Sequence, residues 1–264
     1  MGFLKKFDFH CHSSYSDGES SIYQIEEFCL KSNIGISLTD HNEIRGSIKL
    51  FERNKISLIL GMEIGTAEGI EVLIYFNKVH EMEFFYKSQI EPYRKKCIIT
   101  HLRNRLENIL EAIGEIDAFV SLAHPSSILQ QRALNKIEYR DPYLFNLLFR
   151  KIHAIEIFNG NLTYRQNQLS AELMEKYKKK FTVGSDAHQL KFFGYTNACV
   201  ETEDQQKENF FLKLQSNDFS EVFFIENKKR FIPILKSAQT NALHYVKCKI
   251  YNLLGRENNI HIES

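Results

Sequence analysis

The chain has 264 residues, of which 43 % are hydrophobic and 25 % charged, and its formal net charge at pH 7 is +1. This length and hydrophobic content can bury a sizeable core, as one large α/β domain or two smaller ones. The near-neutral charge excludes general polyanion-binding character. The five cysteines are an odd number without a CxxC pair, which favours a reducing compartment over a disulfide framework.

The N-terminal stretch MGFLKKFDFH contains no apolar signal core. No apolar run elsewhere approaches the ~20 residues that a membrane span needs. Gly2 does not begin a myristoylation signal, because position 6 is Lys rather than Ser or Thr. We therefore expect a cytoplasmic protein with no membrane partner, and no feature of the sequence predicts its oligomeric state.

Short apolar runs recur along the chain and predict β-strands. They lie at residues 4–12, 34–40, 57–64, 70–76, 117–124, 153–158 and 181–186, with a further candidate at 197–202. Continuous rather than alternating hydrophobicity is typical of parallel strands covered on both sides. Helical patterns lie between the runs, at residues 21–33, 44–54, 100–114 and 164–180. This alternation predicts a barrel or a doubly wound sheet.

The C-terminal part of the chain has a different pattern. Residues 207–256 are expected to be mostly helical, with a short strand candidate at 221–225. No Ser/Gly-rich linker suggests a hinge between independent domains. We expect a barrel over residues 1–206 and a mainly helical extension over residues 207–264 that packs on it.

Metal-capable side chains follow the predicted strands at the points where they end. In FDFHCHSSYSDG, His10 and His12 are two residues apart and therefore share one face of a strand, while Cys11 points away and is expected to pack in the core. The other strand ends carry Asp40 and His41 (SLTDHN), Glu63 (ILGMEI), His124 (SLAHP), Glu156 and Asn159 (AIEIFNG), and Asp186 and His188 (VGSDAH). In a (β/α) barrel, this rim is where active sites assemble.

Imidazole nitrogens mixed with carboxylates suit Zn²⁺, Mn²⁺ or Fe²⁺ better than Ca²⁺ or Mg²⁺ alone. A single histidine at a strand end is more often structural, and Asp-His after a strand can be a helix cap. Repetition of the same chemistry at several strand ends outweighs that alternative. The candidate ligands outnumber what one ion accepts, so we expect two or three divalent ions.

These motifs, in this order, resemble the polymerase and histidinol phosphatase (PHP) superfamily of metal-dependent phosphoesterases. The resemblance covers roughly residues 7–200 through HCH…SDG, TDHN, AHP and GSDAH. It implies an α/β fold, a distorted seven-stranded (β/α) TIM-like barrel with a trinuclear centre on its rim. By motif position it implies the metal ligands His10, His12, Asp17, His41, Glu63, His124, Asp186 and His188.

One position departs from the family pattern. Family members usually have another histidine in a short strand after the glutamate of the third strand, where this chain has IEVLIYF and places Glu71. Glu71 binds the same ion as a carboxylate, leaves that ion more weakly held, or points elsewhere. These alternatives bear on the number of ions and not on the family.

Four residues are assigned further roles. Asp40, which precedes a ligand, is expected to orient an imidazole. Asn159 is a candidate for binding substrate or for hydrogen-bonding behind the ligands, and Arg165 is a candidate for clamping a phosphate. His188 is expected to act catalytically by protonating the leaving oxygen.

The expected activity is hydrolysis of a phosphate ester by metal-bound hydroxide, since clustered divalent ions activate water and neutralise phosphoryl oxygens. A small phosphomonoester or a nucleotide is the first choice of substrate. An exonuclease acting on short oligonucleotides is the alternative with the same chemistry, since the C-terminal part is basic and aromatic. A non-catalytic PHP scaffold that binds a partner is the alternative of another class, and the presence of all the motif ligands argues against it.

Overall fold

The computed structural model describes residues 3–95, 100–202, 210–217 and 219–224. Within them, one sheet has the strand order β7-β6-β5-β4-β3-β2-β1-β8-β9. The strands are β1 (Phe3–Cys11), β2 (Ile34–Leu38), β3 (Leu58–Gly65), β4 (Glu71–Phe76), β5 (Ala118–Leu122), β6 (Ala154–Asn159), β7 (Lys180–Gly184), β8 (Thr196–Thr202) and β9 (Glu221–Phe224). The α-helices are α1 (Ile22–Ser32), α2 (Arg45–Arg53), α3 (Val79–Phe85), α4 (Leu106–Ile113), α5 (Ile128–Arg140), α6 (Pro142–Lys151), α7 (Tyr164–Tyr177) and α8 (Phe210–Ser216).

Strand β1 changes partner along its length, and this closes the barrel. Its amino-terminal half pairs with β8, antiparallel, from Phe3 to Phe7. Its carboxyl end instead meets the segment after β7: the Asp186 N–H donates to the His10 carbonyl at 2.7 Å, and the His12 N–H donates to the Ala187 carbonyl at 3.0 Å. The sheet is therefore a nearly closed α/β barrel, whose closing contacts lie at the carboxyl end of β1.

The predicted barrel is confirmed, with two corrections. The sheet has nine strands rather than seven, because β8 and β9 extend it beyond β1 by antiparallel pairing. In addition, β4 runs antiparallel to both β3 and β5. Continuous hydrophobicity reports burial on both faces, and β4 has it, so the pattern does not distinguish a buried antiparallel strand from a parallel one.

Aromatic rings fill the interior below the carboxyl end of the strands. Phe9 lies 5.4 Å from Phe219 and 6.4 Å from Tyr75 between ring centroids, and Phe7 lies 4.7 Å from Phe210. Phe210 and Phe219 lie within the predicted C-terminal extension, and their rings contact β1. Residues 225–264, which hold most of the predicted helical extension, lie outside the described residues.

The helices match the sequence pattern unevenly. Helices α1, α2 and α7 occupy the predicted segments, but the pattern at 100–114 is helical only in α4. No element was predicted for residues 125–152, which form α5 and α6; the Asp141 carboxylate caps α6 through the Leu144 N–H at 3.0 Å. Among the described residues, no helix combines the length and hydropathy that crossing a bilayer requires.

Gly184 permits the approach of β7 to β1, which gives a direct test of barrel closure. A Cβ atom on Gly184 would lie 2.2 Å from the Cβ of His10 and 2.7 Å from its backbone nitrogen. We expect Gly184→Ala to lower the free energy of unfolding by about 1–3 kcal/mol, measured by urea denaturation.

Gly114→Ala is the matched control, since its φ of −62° suits any residue and its new Cβ would stay at least 3.2 Å from the nearest heavy atoms. Its effect should be within about 0.5 kcal/mol. Equal stability of the two variants would contradict the close packing of β1 on β7.

Candidate metal centre

The strand ends bring the eight predicted ligands together in one cluster, joined by Glu71. Side-chain ligand atoms within 4.8 Å of one another define four overlapping groups. We number these groups as four sets: the first is His10–His12–Asp186, the second His10–Glu63–His124, the third His12–Asp17–His41–His188 and the fourth His41–Glu63–Glu71. Because residues recur between groups, the arrangement fits several neighbouring ions better than one.

Three atoms of the first set and one of Glu63 lie close enough together to share a metal ion. The Nε2 atoms of His10 and His12 are 3.1 Å apart, and Asp186 Oδ1 lies 3.5 Å and 3.2 Å from them, respectively. Glu63 Oε2 lies 3.3 Å from His10 Nε2 and 3.5 Å from His12 Nε2. Ligand atoms that share one ion at about 2.1 Å lie ~3–4 Å apart, so these separations suit donors to a common metal ion.

Glu63 joins this set to its neighbours. Besides the two contacts just described, its Oε2 lies 3.0 Å from His41 Nδ1, while Oε1 lies 3.0 Å from His124 Nε2. The Glu63 side chain is fully buried. Because each of its two oxygens lies beside imidazoles, the Glu63 carboxylate could contribute to more than one metal ion.

Asp17 lies on the outer side of the cluster, beside three imidazoles. Its Oδ2 lies 3.2 Å from His188 Nε2 and 3.6 Å from His41 Nε2, and its Oδ1 lies 3.7 Å from His12 Nδ1. The Asp17 and His188 side chains are about one third exposed. This third set is therefore the most accessible to a ligand from solvent.

Glu71 points into the cluster, as direct binding of an ion by its carboxylate would require. Its Oε2 lies 3.7 Å from His124 Nε2. Burial and the negative charge of Glu63 raise the pKa of Glu71 to about 7. A carboxylate beside another buried carboxylate is costly unless a proton or a cation is bound between them.

The donor set itself fits metal ions. Among the described residues, the buried side-chain atoms that make no hydrogen bond include His12 Nδ1, His41 Nδ1 and Glu63 Oε2. Unsatisfied buried polar atoms are costly, and three of them within one cluster indicate a missing cationic partner. If the imidazoles are neutral and the carboxylates ionised, the cluster carries a charge of about −4, which two divalent ions would balance. The four carboxylates are those of Asp17, Glu63, Glu71 and Asp186.

Glu156 and Asn159 support the cluster from beneath. His10 Nδ1 donates to Glu156 Oε1 at 2.9 Å, which fixes the tautomer whose Nε2 lone pair faces the cluster. The Asn159 Nδ2 donates to Glu156 Oε2 at 3.0 Å and to Asp186 Oδ2 at 3.2 Å, and the residue is fully buried. This geometry favours the second of the two roles predicted for Asn159, hydrogen bonding behind the ligands.

Asp8 is a supporting residue that the sequence analysis missed. Its buried carboxylate accepts hydrogen bonds from the backbone N–H groups of His10, Ser185 and Gly194 and from the Ser185 hydroxyl. These bonds hold the turn at Asp186, which has a φ of +51°. An acidic residue inside the apolar run FDF was the available signal, since an unpaired carboxylate is not buried in a strand.

Asp40 has partners other than the predicted imidazole. Its Oδ1 accepts from the Ser13 N–H and the Ser16 hydroxyl, each at 2.7 Å, and its Oδ2 accepts from the Ser13 hydroxyl. Gly46 leaves space for this carboxylate, since a Cβ there would lie 2.6 Å from Asp40 Oδ2. Asp40 therefore positions the loop that carries Asp17, because serines are the donors that reach it.

The remaining sequence candidates occupy different surroundings. His188 donates from Nδ1 to the Asp186 carbonyl at 3.0 Å, so its neutral ring presents the Nε2 lone pair to the third set. Arg165 is exposed in the first turn of α7, after the strand that ends at Asn159. Cys11 is buried in the core, with its thiol donating to the Ser37 carbonyl.

Fold and cluster together define a distorted (β/α) barrel with a His/Asp/Glu cluster that could hold metal ions at the carboxyl end of its strands. The PHP domain family model matches residues 8–230. The chain therefore belongs to the PHP domain family. A relative in Methanocaldococcus jannaschii, itself uncharacterised, is 24 % identical over 267 residues, which cover 98 % of this chain and 94 % of the relative.

Solved structures share the fold. The lesion-specific endonuclease Q of Pyrococcus furiosus has a TM-score of 0.66 at 16 % identity, over 85 % of this chain and 60 % of that one. Endonuclease Q in complex with a 27-mer duplex containing an abasic lesion has a TM-score of 0.65 at 16 % identity, over 90 % and 67 %. A two-domain Bacteroides vulgatus protein with a predicted PHP-like metal-dependent phosphoesterase has a TM-score of 0.57 at 18 % identity, over 84 % and 65 %. This chain spans about two thirds or less of these structures, and such identities establish the fold alone.

The Glu71 carboxyl predicts a pH dependence of the metal-free fold. Its pKa is about 7 in the folded protein against an ordinary 4.5, so the folded state retains a proton that the unfolded state releases. The contribution of Glu71 to the free energy of unfolding therefore falls as the pH rises from 4.5 to about 7. In chelator at pH 8, Glu71→Gln should be more stable than wild type by up to about 3 kcal/mol.

Urea denaturation at pH 8 and pH 4 measures the effect, which should disappear at the lower pH. Glu52→Gln, at an exposed position of α2, is the control and should not change stability at either pH. A Glu71→Gln variant no more stable than wild type at pH 8 would show that the carboxyl is not held among negative charges.

Proposed function

We propose that the protein is a metal-dependent phosphoesterase that hydrolyses a phosphate ester at the carboxyl rim of its barrel. The observation that carries the proposal is that His10 Nε2 and His12 Nε2 lie 3.1–3.5 Å from each other, from Asp186 Oδ1 and from Glu63 Oε2. We assign as ligands these four residues with Asp17, His41, His124 and His188, for two or three ions of Mn, Fe or Zn. Family membership supports hydrolysis of phosphate esters as the reaction class.

Bound divalent ions supply a water of lowered pKa and neutralise phosphoryl oxygens. The chain's own residues supply orientation. Glu156 keeps the proton of His10 on Nδ1, and Asn159 holds the second oxygen of Asp186, so the ligand atoms stay aimed at the cluster. The exposed third set, around Asp17 and His188, is the side from which a phosphate would enter.

His188 is assigned first as a ligand and second as the acid for the leaving oxygen. Its Nδ1 proton is donated to the Asp186 carbonyl, so Nε2 is the atom available for either role. Asp17 outweighs the effect of burial and raises the His188 pKa to about 9 in the metal-free protein. One nitrogen cannot hold an ion and a proton together, so the acid role requires Nε2 to be free of metal. Arg165 keeps its predicted role as a phosphate clamp.

A small phosphomonoester or nucleotide is the proposed substrate class. The exonuclease alternative gains support from the likeness to endonuclease Q, whose structure contains duplex DNA. Shortening of a labelled oligonucleotide without turnover of monoesters would favour the nuclease. Binding of a protein partner without turnover of either would favour the scaffold. The division at residues 206 and 207 and a cytoplasmic location remain predictions.

Metal dependence tests the proposed function. Chelator should abolish hydrolysis of an aryl phosphate, and Mn²⁺, Fe²⁺ or Zn²⁺ should restore it, because the donors of the cluster lack a cation without these ions. His12→Ala and Asp186→Ala should each lower turnover by more than about 100-fold. This loss exceeds the usual effect of substituting a residue that only hydrogen-bonds to a metal ligand.

His80→Ala is the matched control, since His80 is exposed on α3, and it should retain full activity. Circular dichroism checks that the variants remain folded. Undiminished hydrolysis in chelator, or near-normal rates in both cluster variants, would refute the proposal.

Glu71 is proposed as a ligand in the position that a histidine usually occupies in the family. Elemental analysis after dialysis should show that Glu71→Ala binds about one ion fewer, because one carboxylate oxygen is lost from the set with His41 and Glu63. Glu71→His should retain the ion, since imidazole is an equivalent donor. If Glu71→Ala has the metal content and the metal titration of wild type, Glu71 is not a ligand.

A further inference from the structure

Gln130 is a fully buried residue of α5 that lies outside the cluster but is bonded to one of its members. Its Oε1 accepts the Glu71 backbone N–H at 2.9 Å, and its Nε2 donates to the Glu71 carbonyl at 2.9 Å. The side-chain amide therefore binds both backbone groups of a single residue, as a neighbouring strand would do. That residue carries the carboxylate assigned to the fourth set.

The end of β5 explains why the Glu71 backbone needs this partner. The pairing of β4 with β5 ends at Val72 and Leu122, and beyond it the Ala123 N–H reaches the Glu71 carbonyl at 3.2 Å. The next residue, His124, has a φ of +23°, so β5 does not continue alongside Glu71. The Gln130 amide takes the place of the strand partner that β5 no longer provides.

The same sequence position has a different role in two other helices. In α1 and α7, a Ser or Thr caps the helix, and the side chain of a glutamine three residues later accepts the N–H of the capping residue. These pairs are Ser21–Gln24 and Thr163–Gln166. Ser127 likewise caps α5 by accepting the Gln130 N–H at 3.3 Å, but its own N–H donates to the His124 carbonyl at 2.9 Å. The Gln130 side chain is thus not used for the cap and binds Glu71 instead.

Repulsion between carboxylates makes a fixed backbone useful at this point. Glu71 shares the fourth set with Glu63 and His41, and two ionised carboxylates at one site repel each other. With a free backbone, the end of β4 would move away from Glu63 whenever no ion was bound. A bound ion would then have to draw the ligand back, at a cost to its affinity. Hydrogen bonds that hold the backbone of residue 71 prevent this relaxation.

We propose that Gln130 is a positioning residue for metal binding, which fixes the Glu71 backbone and thereby keeps the Glu71 carboxylate in the fourth set. This inference rests on the proposed function for the role of Glu71 as a ligand. A purely structural role of Gln130 would stabilise the fold without changing the affinity for metal. The two roles are separable, because Gln130 bonds to the backbone of residue 71, and that backbone remains when the Glu71 side chain is removed.

The test is a double-mutant cycle of Gln130→Met and Glu71→Ala. Methionine is an unbranched side chain of similar length that cannot form the two hydrogen bonds. Mn²⁺ is titrated into the metal-free full chain by isothermal titration calorimetry, which gives a dissociation constant for each binding step. Gln130→Met should raise, by about tenfold, the dissociation constant of the step that Glu71→Ala removes. In the Glu71→Ala background, it should leave the remaining steps unchanged.

Gln131→Met is the matched control, because Gln131 is the next residue of α5 and is exposed, and it should bind Mn²⁺ as wild type does. Urea denaturation of the metal-free variants measures the structural role separately. Gln130→Met should lower the urea midpoint by the same amount with and without the Glu71 side chain. If Gln130→Met does not fold, Gln130→Asn replaces it, since its amide is one methylene too short to reach both backbone groups.

Three results would overturn the proposal: Mn²⁺ steps unchanged by substitution of Gln130, steps weakened equally with and without the Glu71 side chain, or a Glu71→Ala titration identical to that of wild type. Aryl phosphate turnover is measured on the same preparations. If no metal supports turnover while the Glu71-dependent step still depends on Gln130, the proposed function fails and the positioning role stands. If turnover depends on metal and Gln130→Met leaves every step unchanged, the proposed function stands and Gln130 supports only the fold.

Discussion

The buried carboxylate of Glu63 is the constraint on which the rest of the site depends. It has no exposed surface, its Oε2 makes no hydrogen bond, and imidazoles of His10, His41 and His124 lie 3.0–3.3 Å from its oxygens. Burial of an ionised group without a partner is costly. Glu63 therefore requires a positive charge beside it, from protonated imidazoles or from metal ions. The neighbouring imidazoles can supply that charge themselves or bind the ions that do.

This requirement explains the supporting network. Asp8, Asp40 and Glu156 are buried carboxylates, yet each receives several hydrogen bonds from backbone, hydroxyl or amide donors. They orient loops and ligands without competing for cations. Asp186 and His124 adopt positive φ angles of 51° and 23°, and the hydrogen bonds around them make this strain tolerable. The acidic residues thus fall into two classes. One class forms the cluster, and the other, Asp8, Asp40 and Glu156, positions the residues of the cluster.

Sequence reasoning predicted the residues that form the cluster but only some of the residues that support it. His10 and His12 were predictable because alternation on a strand and a repeated strand-end pattern are local signals. The pairing of Asp40 with Ser13 and Ser16 was not, since it depends on how two loops meet in space. The direction of β4 was missed for a related reason: a strand buried on both faces has the same composition in either direction. Glu71 was recognised as an exception, and its orientation toward Glu63 required the fold.

The change of partner along β1 has a consequence for how the molecule is made. The strand that carries His10 and His12 pairs with residues 198–202 at one end and meets Asp186 and Ala187 at the other. These contacts join the beginning of the chain to segments synthesised some 180 residues later, and contacts of such long sequence separation form slowly. During translation, the partners of His10 and His12 therefore do not exist until residues 186–187 have been synthesised. We expect assembly of the donor cluster to be a late event on the ribosome, so that a metal ion captured there would stabilise only chains whose barrel has already closed.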